Sequence, residues 1–91
     1  MTSDLQELRN HLGSGRLSIS RLEDGSGAAL DIETERLFSF NATGLFIVDS
    51  AADESTDEEW IVRSLVSRFG VSRDVARHDL ARFLEELVQA L

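Results

Sequence analysis

The sequence predicts an α+β domain with its strands first and its helices last. Three observations carry this. Residues 28–33 and 36–40 are short runs that alternate with the period of a strand. Two strongly amphipathic segments follow and run to the C-terminus. Between them, Phe40-Asn41-Ala42-Thr43-Gly44 puts an asparagine where one period gives way to the other. Such a layout leaves a sheet edge beside a helix, which is a place to hold an extended peptide.

The elements can be justified in order. Ser3 with Gln6 three residues on fits a capping box, and Leu5, Leu8 and Leu12 share a face, so a short helix is expected up to Gly13. At barely three turns it needs a surface to pack on. Gly13-Ser14-Gly15 reads as a flexible break. Residues 16–22 carry Leu17, Ile19 and Leu22 among Ser18 and Ser20, and form the first strand. Asp24-Gly25-Ser26-Gly27 is a turn, because glycine supplies the positive φ of tight hairpins. In the second strand, 28–33, Ala28, Leu30 and Ile32 alternate with Asp31 and Glu33. After Glu33-Thr34-Glu35 the third strand, 36–40, sets Phe38 and Phe40 on one face and Leu37 and Ser39 on the other.

Asn41 is a good N-cap for a helix over 42–51 that buries Leu45, Phe46 and Val48. Gly44 inside it costs roughly 1 kcal/mol relative to alanine. Ser55 with Glu58 and Thr56 with Glu59 are overlapping capping boxes for a helix starting near Asp57. That helix carries Ile61, Leu65, Val66 and Phe69 on one face and ends at Gly70. Ser72 caps the last helix, whose Ala76, Leu80, Phe83, Leu84, Leu87 and Leu91 make a continuous apolar stripe.

Composition bounds the function. Ninety-one residues support one core, so a single domain over 1–91 is expected, with 1–15 as an N-terminal helix or arm. A hydrophobic content of 42% is globular. No apolar run approaches the length of a bilayer span, and no basic-then-apolar start reads as a secretory signal. A cytoplasmic protein without a membrane partner is therefore expected. The absence of cysteine removes disulfides, a thiol nucleophile and Cys-type zinc sites. A net charge of −8 repels phosphate backbones and disfavours nucleic acid. All nine basic residues are arginine. Arg63, Arg68, Arg73, Arg77 and Arg82 follow an acidic cluster of Asp53, Glu54, Asp57, Glu58 and Glu59, a pattern that usually means a solvated, salt-laced helix surface.

Candidate chemistry is sparse. His11 and His78 are far apart in the chain, and neither has another histidine near it. No glycine pattern follows a strand as a phosphate loop requires. Asp49-Ser50 is the pair on which acyl or peptidyl carrier proteins mount phosphopantetheine at the serine. Here it ends a predicted helix rather than starting one, and the strands have no place in an all-helical carrier. Trp60, in the first turn of its helix, reads as an anchor against the preceding loop or as a contact residue at an interface. The expectation is a non-enzymatic chain with no cofactor and no metal.

The chain from Ala28 to Leu91 resembles the PqqD-like family, small chaperones that recognise leader peptides of ribosomally made, modified natural products. The resemblance rests on Leu30-Asp31-Ile32-Glu33-Thr34 and on Leu37-Phe38-Ser39-Phe40-Asn41-Ala42-Thr43-Gly44. It continues in the stretch from Trp60 to Val71, and in Asp79-Leu80-Ala81-Arg82-Phe83-Leu84-Glu85-Glu86-Leu87. Where family members often have an Asp-Gly pair, this chain has Asp49-Ser50-Ala51-Ala52-Asp53. The resemblance implies a winged-helix-like fold, a three-stranded antiparallel sheet against a three-helix bundle, with the N-terminal helix as an addition. It also implies that a precursor leader peptide adds as a strand beside 36–40 and is presented to a modifying enzyme of the same pathway. The peptide-binding residues expected on this basis are Arg36, Leu37, Phe38, Ser39 and Phe40 on the strand and Val75, Asp79, Arg82, Phe83 and Glu86 on the last helix. Which face of the strand meets the helix stays open. An unpaired edge also favours pairing of two copies into a homodimer. A winged-helix DNA-binding protein would share this architecture, but it needs a basic recognition helix.

Overall fold

The computed structural model describes residues 3–91, so the first two residues of the expected N-terminal arm lie outside it. Helix α1 (Asp4–Gly13) leads into a meander of β1 (Leu17–Arg21), β2 (Gly27–Asp31) and β3 (Leu37–Phe40). Helices α2 (Ala42–Ala52), α3 (Glu58–Phe69) and α4 (Arg73–Ala90) follow. The sheet is antiparallel in the order β1-β2-β3, so β3 is an edge strand. The α+β reading holds, with the three strands followed by α2, α3 and α4 and with the expected N-terminal helix as α1.

Strand β2 keeps the predicted alternation but inverts its phase. Ala29 and Asp31 are fully buried, whereas Leu30 and Ile32 are 41% and 57% exposed. Two long-range contacts explain the inversion. Arg16 grips the Asp31 carboxylate in a two-pronged contact, Nε to Oδ1 at 3.0 Å and Nη2 to Oδ2 at 2.8 Å. The amide of Glu33 donates to the same carboxylate at 3.0 Å. This guanidinium holds the Asp31 carboxyl well below the usual carboxylate range. Gly27 faces inward too, where a Cβ would lie 2.7 Å from the Ser20 carbonyl oxygen and 2.9 Å from Leu45 Cδ1. The strand end that carries Asp31 also meets the end of α4. Arg16 donates to the Leu91 carbonyl at 2.9 Å and Arg36 to that of Ala90 at 2.7 Å, placing cations at the negative end of the helix dipole.

Local signals set most helix ends. Asn41 accepts from the Gly44 amide at 2.8 Å, and Ser72 from the Val75 amide at 3.2 Å. Gly70 closes α3 at a φ of 70°. The start of α3 differs from the sequence expectation. Its cap is Asp57, which accepts from the Trp60 amide at 2.7 Å. Thr56 is instead turned inward, with its hydroxyl 2.7 Å from the Ser50 carbonyl, and Ser55 bonds the Asp53 side chain.

The core gathers Leu17 and Phe40 from the sheet with Leu45, Ile47, Val48, Ile61, Leu65, Leu80 and Leu84 from the helices. Leu5 and Leu8 of α1 join it. Arg9 of the same helix reaches the loop after α2, donating to the carbonyls of Ala51 at 2.9 Å and Asp53 at 3.2 Å and to Thr56. The short N-terminal helix thus has its packing surface, and it satisfies carbonyls that α2 leaves open.

Candidate functional site

The open edge of β3 is built by pairing alternation. The Asp31 amide donates to the Arg36 carbonyl at 2.8 Å, which makes those residues a hydrogen-bonded pair. In the observed register, Ala29 with Phe38 and Gly27 with Phe40 are then bonded pairs as well. Leu37 and Ser39 therefore turn their N–H and C=O groups away from β2, toward the unoccupied side. The side chains settle which face meets the helix. Phe38 and Phe40 point inward, and the Phe40 ring meets Phe83 of α4 edge-on, with centroids 5.7 Å apart. Leu37 and Ser39 face the other way, and both are exposed.

Between this edge and α4 runs a trough in two parts. One, of about 330 Å³, is lined by β3 from Leu37 to Phe40 and by Phe83, Glu86, Leu87 and Ala90. The other, of about 240 Å³, is lined by Asn41, Thr43, Gly44 and Ile47 of the β3–α2 junction and by Asp79, Arg82, Phe83 and Glu86. Phe83 and Glu86 belong to both, so the two parts adjoin at these side chains. The first part is mainly apolar, around Phe83, Leu87 and Ala90, whereas the second is mainly polar with Ile47 and Phe83 among its lining. The outer rim is charged, with Arg82 and Glu86 paired at 3.1 Å one turn apart.

The structure brings together Leu37, Phe38, Ser39, Phe40, Asp79, Arg82, Phe83 and Glu86 of the expected residues. Arg36 and Val75 lie at the two ends and line neither part. Arg36 is held over the Phe38 ring at 5.4 Å and bonded to the end of α4. Val75, 46% exposed, sits a turn before Asp79. Sequence reasoning missed Asn41, Thr43, Gly44, Ile47, Leu87 and Ala90 as lining residues. The signal for Gly44 was its helix-breaking cost. A Cβ there would sit 3.0 Å from the Phe83 ring and 3.3 Å from Phe40 Cβ. Gly44→Ala should therefore push the Phe83 ring into the trough. The expected outcome is weaker occupancy of the trough, with a Tm changed by only a few degrees, since the gain of roughly 1 kcal/mol in helix propensity offsets the crowding. Calorimetry beside a binding titration checks both.

Other features offer no chemistry of this kind. Ser50 is 6% exposed in the last turn of α2, in a chain with a three-stranded sheet, so neither the helix-start serine nor the all-helical fold of the carrier alternative is present. Arg73 and Arg77 share Glu59 and Arg82 pairs with Glu86, and α4 itself carries four carboxylates against three arginines, so it is not a basic recognition helix. Among the described residues, no group of three His, Cys, Asp or Glu could hold a metal ion. None of their helices is long and apolar enough to cross a membrane. A depression of about 560 Å³ between α1, α3 and α4 and one of about 410 Å³ over Phe46, Trp60 and Phe69 are larger, but neither borders a free strand. Trp60 is 41% exposed and stacks on Phe46 rather than on the preceding loop alone.

Comparison with curated proteins finds no match. Among solved structures, the chain is similar to "TbiB1 in Complex with the TbiA(beta) Leader Peptide", with a TM-score of 0.72 and 25% sequence identity. That likeness covers 82% of this chain and 85% of the other. The profile of the family described as Coenzyme PQQ synthesis protein D (PqqD) matches residues 27–90, the span that holds β2, β3 and the three helices after them. The trough and the free edge thus lie wholly inside the matched segment, and the chain belongs to the PqqD family.

Proposed function

We propose that this chain is a peptide-binding protein with no catalysis of its own. It takes the leader of a ribosomally made precursor peptide as an added strand along β3 and presents it to a modifying enzyme. The observation that carries this reading is the free edge of β3 beside a trough whose part along the strand is mainly apolar. Backbone groups of Leu37 and Ser39 supply pairing, and the floor around Phe83 supplies pockets for alternate side chains. Membership of the PqqD family and likeness to a protein solved with a leader peptide support it. Holding the leader raises the effective concentration of the attached core peptide at the enzyme, a role that needs no catalytic residue. The setting is the cytoplasm, where the precursor is made. The same edge can pair two copies of the chain, so a homodimer formed through β3 competes with peptide.

The test is a titration with the leader segment of a precursor encoded in the same gene cluster, followed by amide chemical shifts. Shifts should concentrate on Leu37–Phe40 and on the α4 residues from Asp79 to Leu87, with an affinity in the micromolar range or tighter. Saturable shifts centred on Trp60 or on α1, or none at all in a folded sample, would sink the reading.

A further inference from the structure

The face of the sheet turned away from α4 is unusual for so acidic a chain. Ser18 and Ser20 of β1, Ala28 and Leu30 of β2, and Leu37 and Ser39 of β3 share it by register. None of these six is charged, although 29% of the chain is. Leu37 is 69% exposed, and Leu22 and Ile32, each 57% exposed, continue the face beyond the strand ends. Leu30 and Leu37 stand directly opposite each other in a pair that exchanges no backbone bonds, the arrangement that brings cross-strand side chains closest. An apolar pair therefore spans β2 and β3, beside Ser18 of β1, and stops, exposed, at the edge where a further strand would add.

We infer that the bound peptide is read on both faces of its strand. This rests on the proposed strand addition to β3. Residues opposite one another in neighbouring strands project to the same side of a sheet. Peptide residues opposite Phe38 and Phe40 then enter the trough. The residue opposite Leu37 emerges on the outer face and extends the Leu30–Leu37 pair by one strand. Leu37 thus selects an apolar side chain at that position, whereas the next outward position meets short Ser39 and Ala28 and is weakly selective. The substrate class is an extended segment with apolar residues at adjacent positions, one facing in and one facing out. A one-sided groove would instead select simple alternation of apolar and polar residues.

The probe is a phage-displayed library of random dodecapeptides, sorted in parallel on wild type, Leu37→Lys and Ser39→Pro. Leu37 is exposed, so Leu37→Lys should keep the wild-type melting curve. Wild type should enrich peptides with two adjacent apolar positions. Leu37→Lys should replace one of the two with Asp or Glu and retain the other. It should also bind the peptides selected on wild type about twofold to fivefold more weakly. The inference is overturned if Leu37→Lys enriches the same sequences with unchanged affinity. Failure of strand addition itself looks different: wild type then enriches no peptides, or its peptides bind Ser39→Pro equally well, and both readings fall together.

Discussion

Ser39→Pro is expected to weaken peptide binding severely while leaving the domain folded. The Ser39 amide points away from β2, so proline removes no bond from the sheet, and an edge strand tolerates it there. Its ring would instead occupy the path of the incoming strand and leave a peptide carbonyl without a donor. A weakening of about thirtyfold or more is expected, the combined effect of a lost bond and a buried unpaired acceptor. Ser39→Thr keeps the amide and the strand preference and should bind as wild type does. Calorimetric titration of both variants with one leader peptide checks the pair. Equal affinity for wild type and a folded Ser39→Pro would rule out docking on this edge.

The second large effect is on stability. Arg16→Gln removes the partner of Asp31, a carboxylate whose side chain is fully buried. An uncompensated buried charge is among the costliest single changes, and Tm should fall by about 10 °C or more. The double variant Arg16→Gln with Asp31→Asn should recover most of that loss, because asparagine still offers an oxygen to the Glu33 amide without the charge. The pH dependence follows from the same pair. Asp31 is more acidic when folded than when unfolded. Its contribution is present in full above the ordinary carboxylate value of about 4 and is lost as pH falls below that value. The Asp24 and Asp53 carboxyls, lowered by hydrogen bonds from Ser26 and Ser55, act in the same direction. Asp31→Asn should therefore flatten the acid side of a Tm-against-pH curve. A curve as steep as that of wild type would show that Asp31 does not govern it.

What the sequence made legible was what short-range physics decides. Asn41, Gly70 and Ser72 end or begin helices through bonds within a few residues, and the stripe on α4 is periodic by itself. What stayed hidden depends on partners distant in the chain. The phase of β2 is set by Arg16 gripping Asp31 and by Gly27 lying against Leu45, neither of which alternation can reveal. The cap of α3 moved to Asp57 because Thr56 was drawn inward toward Ser50. The role of α1 rests on Arg9 reaching across to Ala51 and Thr56. At the candidate site, the strand and helix stretches could be named from the sequence because each has its own period. That Gly44 and Leu87 join them beside Phe83, and that Arg36 and Val75 do not, depends on packing between elements.

The brevity of β3 carries a kinetic consequence. Its span from Leu37 to Phe40 offers only Leu37 and Ser39 for outward pairing, so a guest strand gains at most a few backbone bonds. At about 1 kcal/mol net each, these fall well short of the roughly 8 kcal/mol of a micromolar complex. Residence time is then governed by the side chains that fill the trough, and a guest that loses one such anchor departs quickly. For the proposed peptide-binding role, grip is then tuned by a few side chains, and release requires no unfolding of the domain.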